Sequence, residues 1–358
     1  MSALTILLSL CAIYALFGFL LARFGLRGLT CARSFSCPAA FEGEEGEMIE
    51  VVRNDRPLII PWMRVESRIS PYLRLGKQDN LLVSYDTHAC SLFTLMPYQQ
   101  IRRRHRLRFL RRGEYNLGNA SITIGDPLGV YQTSMEQDMD APLLVYPRML
   151  DENELPAPLL CLLGEIAAPR NLLTDPFLVR GIRPYQPGDP IRDIHWAATA
   201  RTGETHVRVH DTTARSRLLI AFNAERIDQQ WSDRLMDYEE ADIEALIAMA
   251  ATLCIRALRQ GLCVGFATNM PLGKDTVSTL LPPSAAPGRD EELLTAFARL
   301  TIRRTDSFYA LLDSLSAMTG TDVIVLSRYT NEQIDAAIHQ LRQSGCRVHL
   351  HLIGGDDA

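Results

Sequence analysis

The hydrophobic pattern changes character along the chain. Residues 3–22, ALTILLSLCAIYALFGFLLA, carry no charge at all. As a helix, a run of about twenty residues spans roughly 30 Å, the thickness of a bilayer's hydrocarbon core. From Glu42 to Tyr146 the runs are short: MIEVVRN, LIIPWMRVES, NLLVSYD, SLFTLMPY, HRLRFLRR and ASITIGD. They alternate loosely, favour β-branched and aromatic residues, and are bounded by Asn, Asp, Gly and Pro, which predicts the strands of a small antiparallel sandwich. The stretch from Asp151 to about Asp175 has no clear period and suits a connector. After Arg217, strand-like RLLIAFN, LCVGFATN, TDVIVLS and CRVHLHLI alternate with helical YEEADIEALIAMAATLCIRALRQG, DEELLTAFARL, SFYALLDSLSAMTG and NEQIDAAIHQLRQSG. The apolar runs at 218–222 and 323–326 need cover on both faces, as parallel strands do, so this half reads as a doubly wound α/β domain.

These changes divide the 358 residues into a transmembrane anchor (1–23), a juxtamembrane linker (24–41), a β-sandwich-like domain (42–150), a connector (151–215) and an α/β domain (216–358). No Lys or Arg precedes the apolar run, whereas Arg23, Arg27 and Arg33 follow it. That is the reverse of a secretory signal peptide. The positive-inside rule then puts the N-terminus outside and the bulk of the chain in the cytoplasm, as a single-pass protein of the cell inner membrane. Eight scattered cysteines without a CxxC pair read as free thiols, which fits that reducing compartment.

A net charge of −5 argues against wholesale nucleic-acid binding but leaves room for a local basic patch. The obvious one is IRRRHRLRFLRR at 101–112, with seven arginines. In a strand, Arg106 and Arg108 point one way and Leu107 and Phe109 the other. A solvated strand face beside acidic neighbours, a membrane or partner surface, and a nucleic-acid patch are the three readings. Sparse aromatic residues disfavour the last.

Recognisable catalytic signatures are missing. No strand leads into a glycine-rich phosphate loop, and there is no GxSxG elbow or HExxH helix. His349 and His351 share one strand face, and Cys31 lies near Cys37, but neither pair has further ligands nearby, so no metal or cofactor is expected. The densest cluster of polar chemistry is VRGIRPYQPGDPIRDIHWAATARTGETHVRVHD at 179–211. Pro187-Gly188 suits a turn, and Asp189 is placed to cap a helix beginning at Pro190. Ile191, Ile194, His195 and Ala198 would then form one stripe, with Arg192 stacked on Trp196 four residues on. A catalytic reading makes His195 a base oriented by Asp189 or Asp193, in a hydrolase or transferase, but no activated nucleophile accompanies it. The other readings are a structural clasp, a partner-docking element and a ligand site.

The spaced residues Arg183, Tyr185, Gly188, Asp189, Arg192, Ile194, His195, Trp196, Ala200 and Arg201, with Arg180 just upstream, resemble the signature of the bacterial domain-of-unknown-function 58 family. Its members commonly have two N-terminal transmembrane helices where this chain shows one. The resemblance implies a von Willebrand factor A-like α/β domain and a non-enzymatic, protein-binding accessory role. MoxR-type AAA+ ATPases and their client proteins would be the partners, and no nucleic acid. It also implies where a cation would sit, since a von Willebrand A domain holds Mg²⁺ through an Asp-x-Ser-x-Ser loop after its first strand. Here that loop reads Asn223-Ala224-Glu225-Arg226-Ile227, and Ser327-Arg328 stands where a later aspartate would fall. One carboxylate and an arginine do not make the oxygen cage a hard cation needs.

Overall fold

The computed structural model describes residues 3–76, 81–84, 88–168, 179–187, 189–210, 216–228 and 237–354. The chain divides into two compact units, Met1–Met149 with Leu294–Leu300, and Leu150–Leu293 with Thr301–Ala358.

The first unit opens with helix α1 (Ala3–Phe24), long and apolar enough to cross a membrane. Among the described residues twelve strands follow: β1 (Leu29–Phe35), β2 (Ala39–Phe41), β3 (Glu45–Asn54), β4 (Ile60–Arg68), β5 (Leu73–Leu75), β6 (Leu81–Ser84), β7 (His88–Leu95), β8 (Gln100–Phe109), β9 (Gly113–Asn116), β10 (Asn119–Gly125), β11 (Gln132–Asp138) and β12 (Pro142–Tyr146). They form sheets ordered β1-β3-β8-β5, β11-β10-β4-β7-β6 and β2-β12-β9. Leu29, Cys31 and Val52 of the first sheet share one core with Met63, Val65, Phe93, Ile122 and Ile124 of the second, as the strand alternation predicts for a sandwich.

Residues 24–41, expected as a linker, already hold β1 and β2. The inward positions of β1 are Leu29, Cys31 and Arg33, and the buried arginine is what hides the strand's alternation. Its guanidinium donates from Nε and Nη2 to Glu50 Oε1 at 2.9 and 2.6 Å, and from Nη1 to the Ser67 hydroxyl. Burial alone would push the Glu50 carboxyl up. The His105 and Ser91 hydrogen bonds and the Arg33 charge outweigh it and hold the carboxyl below its ordinary range. Burial, reinforced by the Glu50 charge, pushes the neighbouring Cys31 thiol up to about 12.

On β8, Arg102, Arg104, Arg106 and Arg108 are exposed while His105, Leu107 and Phe109 turn inward. Pairing with β3 sets Glu47 opposite Arg106 and Glu45 opposite Arg108, so the stripe has acidic neighbours across the strand.

The second unit contains α2 (Ala157–Ala167), β13 (Val179–Pro184), α3 (Trp196–Thr202), β14 (His206–His210), β15 (Arg217–Phe222), α4 (Asp237–Arg259), β16 (Cys263–Thr268), β17 (Thr279–Ser284), the start of α5 (Arg289–Arg299, whose residues from Leu294 on belong to the first unit), α6 (Phe308–Ser314), β18 (Thr321–Ser327), α7 (Glu332–Gln343) and β19 (Arg347–Leu352). The expected connector at 151–215 thus carries two helices and a two-stranded ribbon. Strands β15, β16, β18 and β19 are parallel, in a sheet ordered β17-β16-β15-β18-β19. Leu219, Ala221, Val323 and Val325 meet α6 and α7 on one face, and α4 packs against β15 and β16. Strand β17 runs antiparallel at the edge, outside the strands expected from the sequence, and carries Pro282 and Pro283. Proline is tolerated on an edge strand, where one row of backbone donors has no partner. From β15 the chain moves to β16 on one side and later to β18 on the other. The order therefore reverses between β15 and β18, the place where open α/β sheets bind ligands.

Candidate functional site

Among the described residues, the polar stretch at 179–210 folds as a small module on an antiparallel ribbon. Strands β13 and β14 pair from Val179↔His210 to Pro184↔His206, and the intervening chain makes a short 3-10 turn (Ile191–Asp193) and α3. Asp189 accepts both ends of the Arg183 guanidinium at 2.7 Å and the Gln186 backbone N–H at 2.8 Å. The Arg183 hydrogen bond, then the Gln186 N–H, hold the Asp189 carboxyl below its usual range. A bidentate charged pair of this kind fixes geometry more than it adds stability.

This corrects the expected helix. Asp189 is committed to Arg183 and caps nothing. The helix begins at Trp196, capped by His195, whose Nδ1 accepts from the Ala198 N–H at 3.0 Å. The stripe of Ile191, Ile194, His195 and Ala198 therefore does not share one helix, and the stacking of Arg192 on Trp196 loses the continuous helix it required. Arg192 is largely exposed, 3.9 Å from Asp193. The His195 N–H donates to His206 O at 2.8 Å, and Ile194 bridges to buried Val207, which ties the turn back onto β14. Arg201 lies in the last turn of α3, where a cation suits the helix dipole, and Gly203 ends the helix at φ +76°. Gly188 and the Arg180 side chain lie outside the described residues.

While Arg183, Asp189 and His195 are engaged within the module, several of its apolar side chains are bare. Ile191 is 74% exposed and Trp196 68%, with Ile182 and Tyr185 exposed beside them in sequence and strand. Single exposed aliphatics are ordinary, but an exposed tryptophan with three such companions on one module is the composition of a binding surface.

The second locus is the carboxyl edge of the parallel sheet. Asn223, following β15, donates to Ser327 Oγ at 3.1 Å and accepts from the Glu225 N–H at 2.9 Å. Asn269, following β16, accepts from the Ala224 N–H at 2.9 Å. Glu225 is buried, 3.5 Å from Arg304 and hydrogen-bonded by the Tyr329 hydroxyl. Burial, then that bond, push the Tyr329 phenol up, so it stays protonated and donates. A cleft of about 330 Å³ opens here, lined by Glu225, Asp228, Arg304, Ser307, Tyr309 and Tyr329 among others. Arg328 turns away to Asp242 of α4 at 3.2 Å. Arg304, Tyr309 and Tyr329 carried no motif in the sequence; they arrive through folding alone.

The donor set does not fit a divalent cation. The single buried carboxylate already serves an arginine and a phenol, and the amides and the serine bond one another. Among the described residues no three His, Cys, Asp or Glu side chains are grouped to hold a metal.

Residues 181–353 match the family described as Protein of unknown function DUF58. The match supports the DUF58 family for that span. The DUF58 region includes most of the ribbon module and the whole α/β sheet, so both loci lie within it. No curated protein matches the chain significantly. Among solved structures, a non-cellulosomal cohesin from the hyperthermophilic archaeon Archaeoglobus fulgidus is 9% identical, with 32% of this chain and 91% of that one covered at a TM-score of 0.23. The type I cohesin–dockerin complex Coh-OlpA-Doc918 of Clostridium thermocellum is 11% identical, covering 32% and 99%, at 0.23. A protein of unknown function from Porphyromonas gingivalis W83 is 14% identical, covering 36% and 51%, also at 0.23. Scores this low establish no common fold.

Proposed function

We propose that the chain is a membrane-anchored, non-enzymatic accessory protein whose DUF58 region binds other polypeptides. One observation carries this reading: the ribbon module holds Asp189 and His195 in its own geometry and presents Ile191 and Trp196 to solvent. A rigid aromatic anchor in an apolar patch is how protein interfaces concentrate their binding energy. The α/β unit reads as a von Willebrand factor A-like domain without the oxygen donors for a cation, which suits a docking role. On the family resemblance, the partner is a MoxR-type AAA+ ATPase acting on client complexes. The apolar helix, followed by Arg23 and Arg27, supports an inner-membrane protein with its bulk in the cytoplasm.

The alternative, a hydrolase or transferase using His195 with Asp189 or Asp193, draws less support. His195 Nδ1 is engaged as a helix cap and Asp189 is held by Arg183. The two readings separate in one experiment. The tagged full chain is solubilised from native membranes and co-purifying chains are identified for the wild type, Trp196→Ala and His195→Ala. Recovery of an AAA+ ATPase that falls at least tenfold with Trp196→Ala supports the docking reading. Recovery of no protein from the wild type sinks it, and a hydrolytic or transfer activity lost in His195→Ala replaces it.

A further inference from the structure

The turn between β10 and β11 carries two bare aliphatic side chains beside the apolar helix. Helix α1 lays one face on the first unit: Tyr14, Phe17, Gly18 and Leu21, spaced i, i+3, i+4, i+7, are its covered or half-covered positions. Leu10, Ile13, Leu16 and Phe19 on its other faces stay exposed. The hairpin lies along the covered face. A Cβ on Gly25 would stand 2.4 Å from the Ile124 side chain, and one on Gly18 would stand 2.2 Å from the Tyr131 ring. Moving from Ile124 to the turn therefore means moving toward the helix N-terminus, until the turn stands level with Gly18. That level is six residues inside the helix end at Phe24, about 9 Å along its axis.

The turn is built rigidly. Asp126 is fully buried and accepts the N–H groups of Leu128 at 3.2 Å and Tyr131 at 2.5 Å. Its own carbonyl receives the Trp62 indole N–H at 2.8 Å and the Gly129 N–H at 3.0 Å. The Trp62 ring fills the space where Gly125 would carry a Cβ. Held this way, Leu128 is nevertheless 74% exposed and Val130 67%. With the Leu128, Gly129 and Tyr131 N–H groups bonded inside the turn, its entry into lipid costs less.

We infer that the β10–β11 turn is a second membrane contact, dipping Leu128 and Val130 into the headgroup and acyl boundary of the bilayer that α1 crosses. Apolar groups inserted about 5 to 10 Å into that boundary are a recurrent mode of interfacial anchoring, and the depth of Gly18 falls within it. The occupant is named by position, because Tyr131 at the end of the turn packs on Gly18 of the apolar helix itself. Arg23 and Arg27, both beside the Phe24 ring, mark the level of the headgroups. The turn would set how the sandwich stands on the membrane, which one helix leaves free to swivel.

The inference rests on α1 lying in a bilayer, and the test separates the two. The full chain is reconstituted in vesicles of phosphatidylethanolamine and phosphatidylglycerol, with an environment-sensitive fluorescent amino acid at Ile13, Leu128 or Val277. All three are exposed positions, so the fold is undisturbed. Lipids bearing a nitroxide on the acyl chain then quench whatever they reach. Several-fold quenching at 13 and 128 with none at 277 is the expected result. Quenching at 13 alone overturns the turn's insertion and leaves the helix anchor standing. Quenching at neither removes the anchor, and the inference with it.

Discussion

Arg33 and Glu50 meet inside the sandwich, 2.6 Å apart, with neither side chain reaching solvent. The pair joins β1 to β3 across two strands that the alternation rule would fill with apolar residues. Breaking it is costly because the survivor is a buried charge without its counter-ion. Arg33→Met should destabilise the first unit by about 3 to 5 kcal/mol, measured by chemical denaturation of the full chain in detergent. Arg33→Met with Glu50→Leu should cost less than the two single changes summed, since no charge is then orphaned. An additive double mutant would contradict this account of the core.

The same carboxyl sets a pH dependence. Its folded-state value lies below the ordinary 4.5, so the unfolded chain binds the proton more readily. The stabilisation is therefore complete above about 4.5 and drains away as the pH falls through the lower, folded value. Thermal midpoints recorded between pH 7 and pH 3 should drop in that window, and Glu50→Gln should flatten the drop while lowering the plateau.

Asp189→Asn tests the clasp of the ribbon module. It removes a bidentate charge pair near the surface, so the thermal midpoint should stay within error. Local order should suffer instead. Hydrogen exchange at the Gln186 and Asp189 amides should quicken, and association through Trp196 should weaken in the pull-down. A global loss of stability without local change would place the residue in the wrong role.

Gly18→Leu should force Tyr131 off the helix, because no side chain fits between them. Overpacking of this kind costs about 1 to 3 kcal/mol and should expose the β10–β11 turn to protease. Tyr131→Ala in the same chain should restore resistance. Failure of the second change to rescue the first would show that the clash lies elsewhere.

Much of the fold is legible in the sequence. The buried runs at 218–222 and 323–326 became β15 and β18, and the strand-rich half became three sheets, two of them sharing a core. The failures share a cause. β1 was missed because Arg33 stands at an inward position, and β17 because two prolines stand on an edge that tolerates them. The helix start was misplaced because Asp189, a competent cap, found a charged partner six residues upstream. In each case a local rule gave way to a partner or a position that lies elsewhere in the fold.

What the sequence determined by itself was periodicity: an apolar helix, alternating strands, buried parallel strands, and a spaced polar motif. Those follow from near neighbours, because face and burial repeat every few residues. Only the tertiary structure decided which charges are neutralised and which apolar groups remain bare. Glu225 meets a phenol 104 residues away and an arginine 79 residues away. Trp196 stays exposed although its neighbour His195 is tied into the helix cap and to β14. Pairings of that kind depend on distance in space, and distance along the chain carries no record of them.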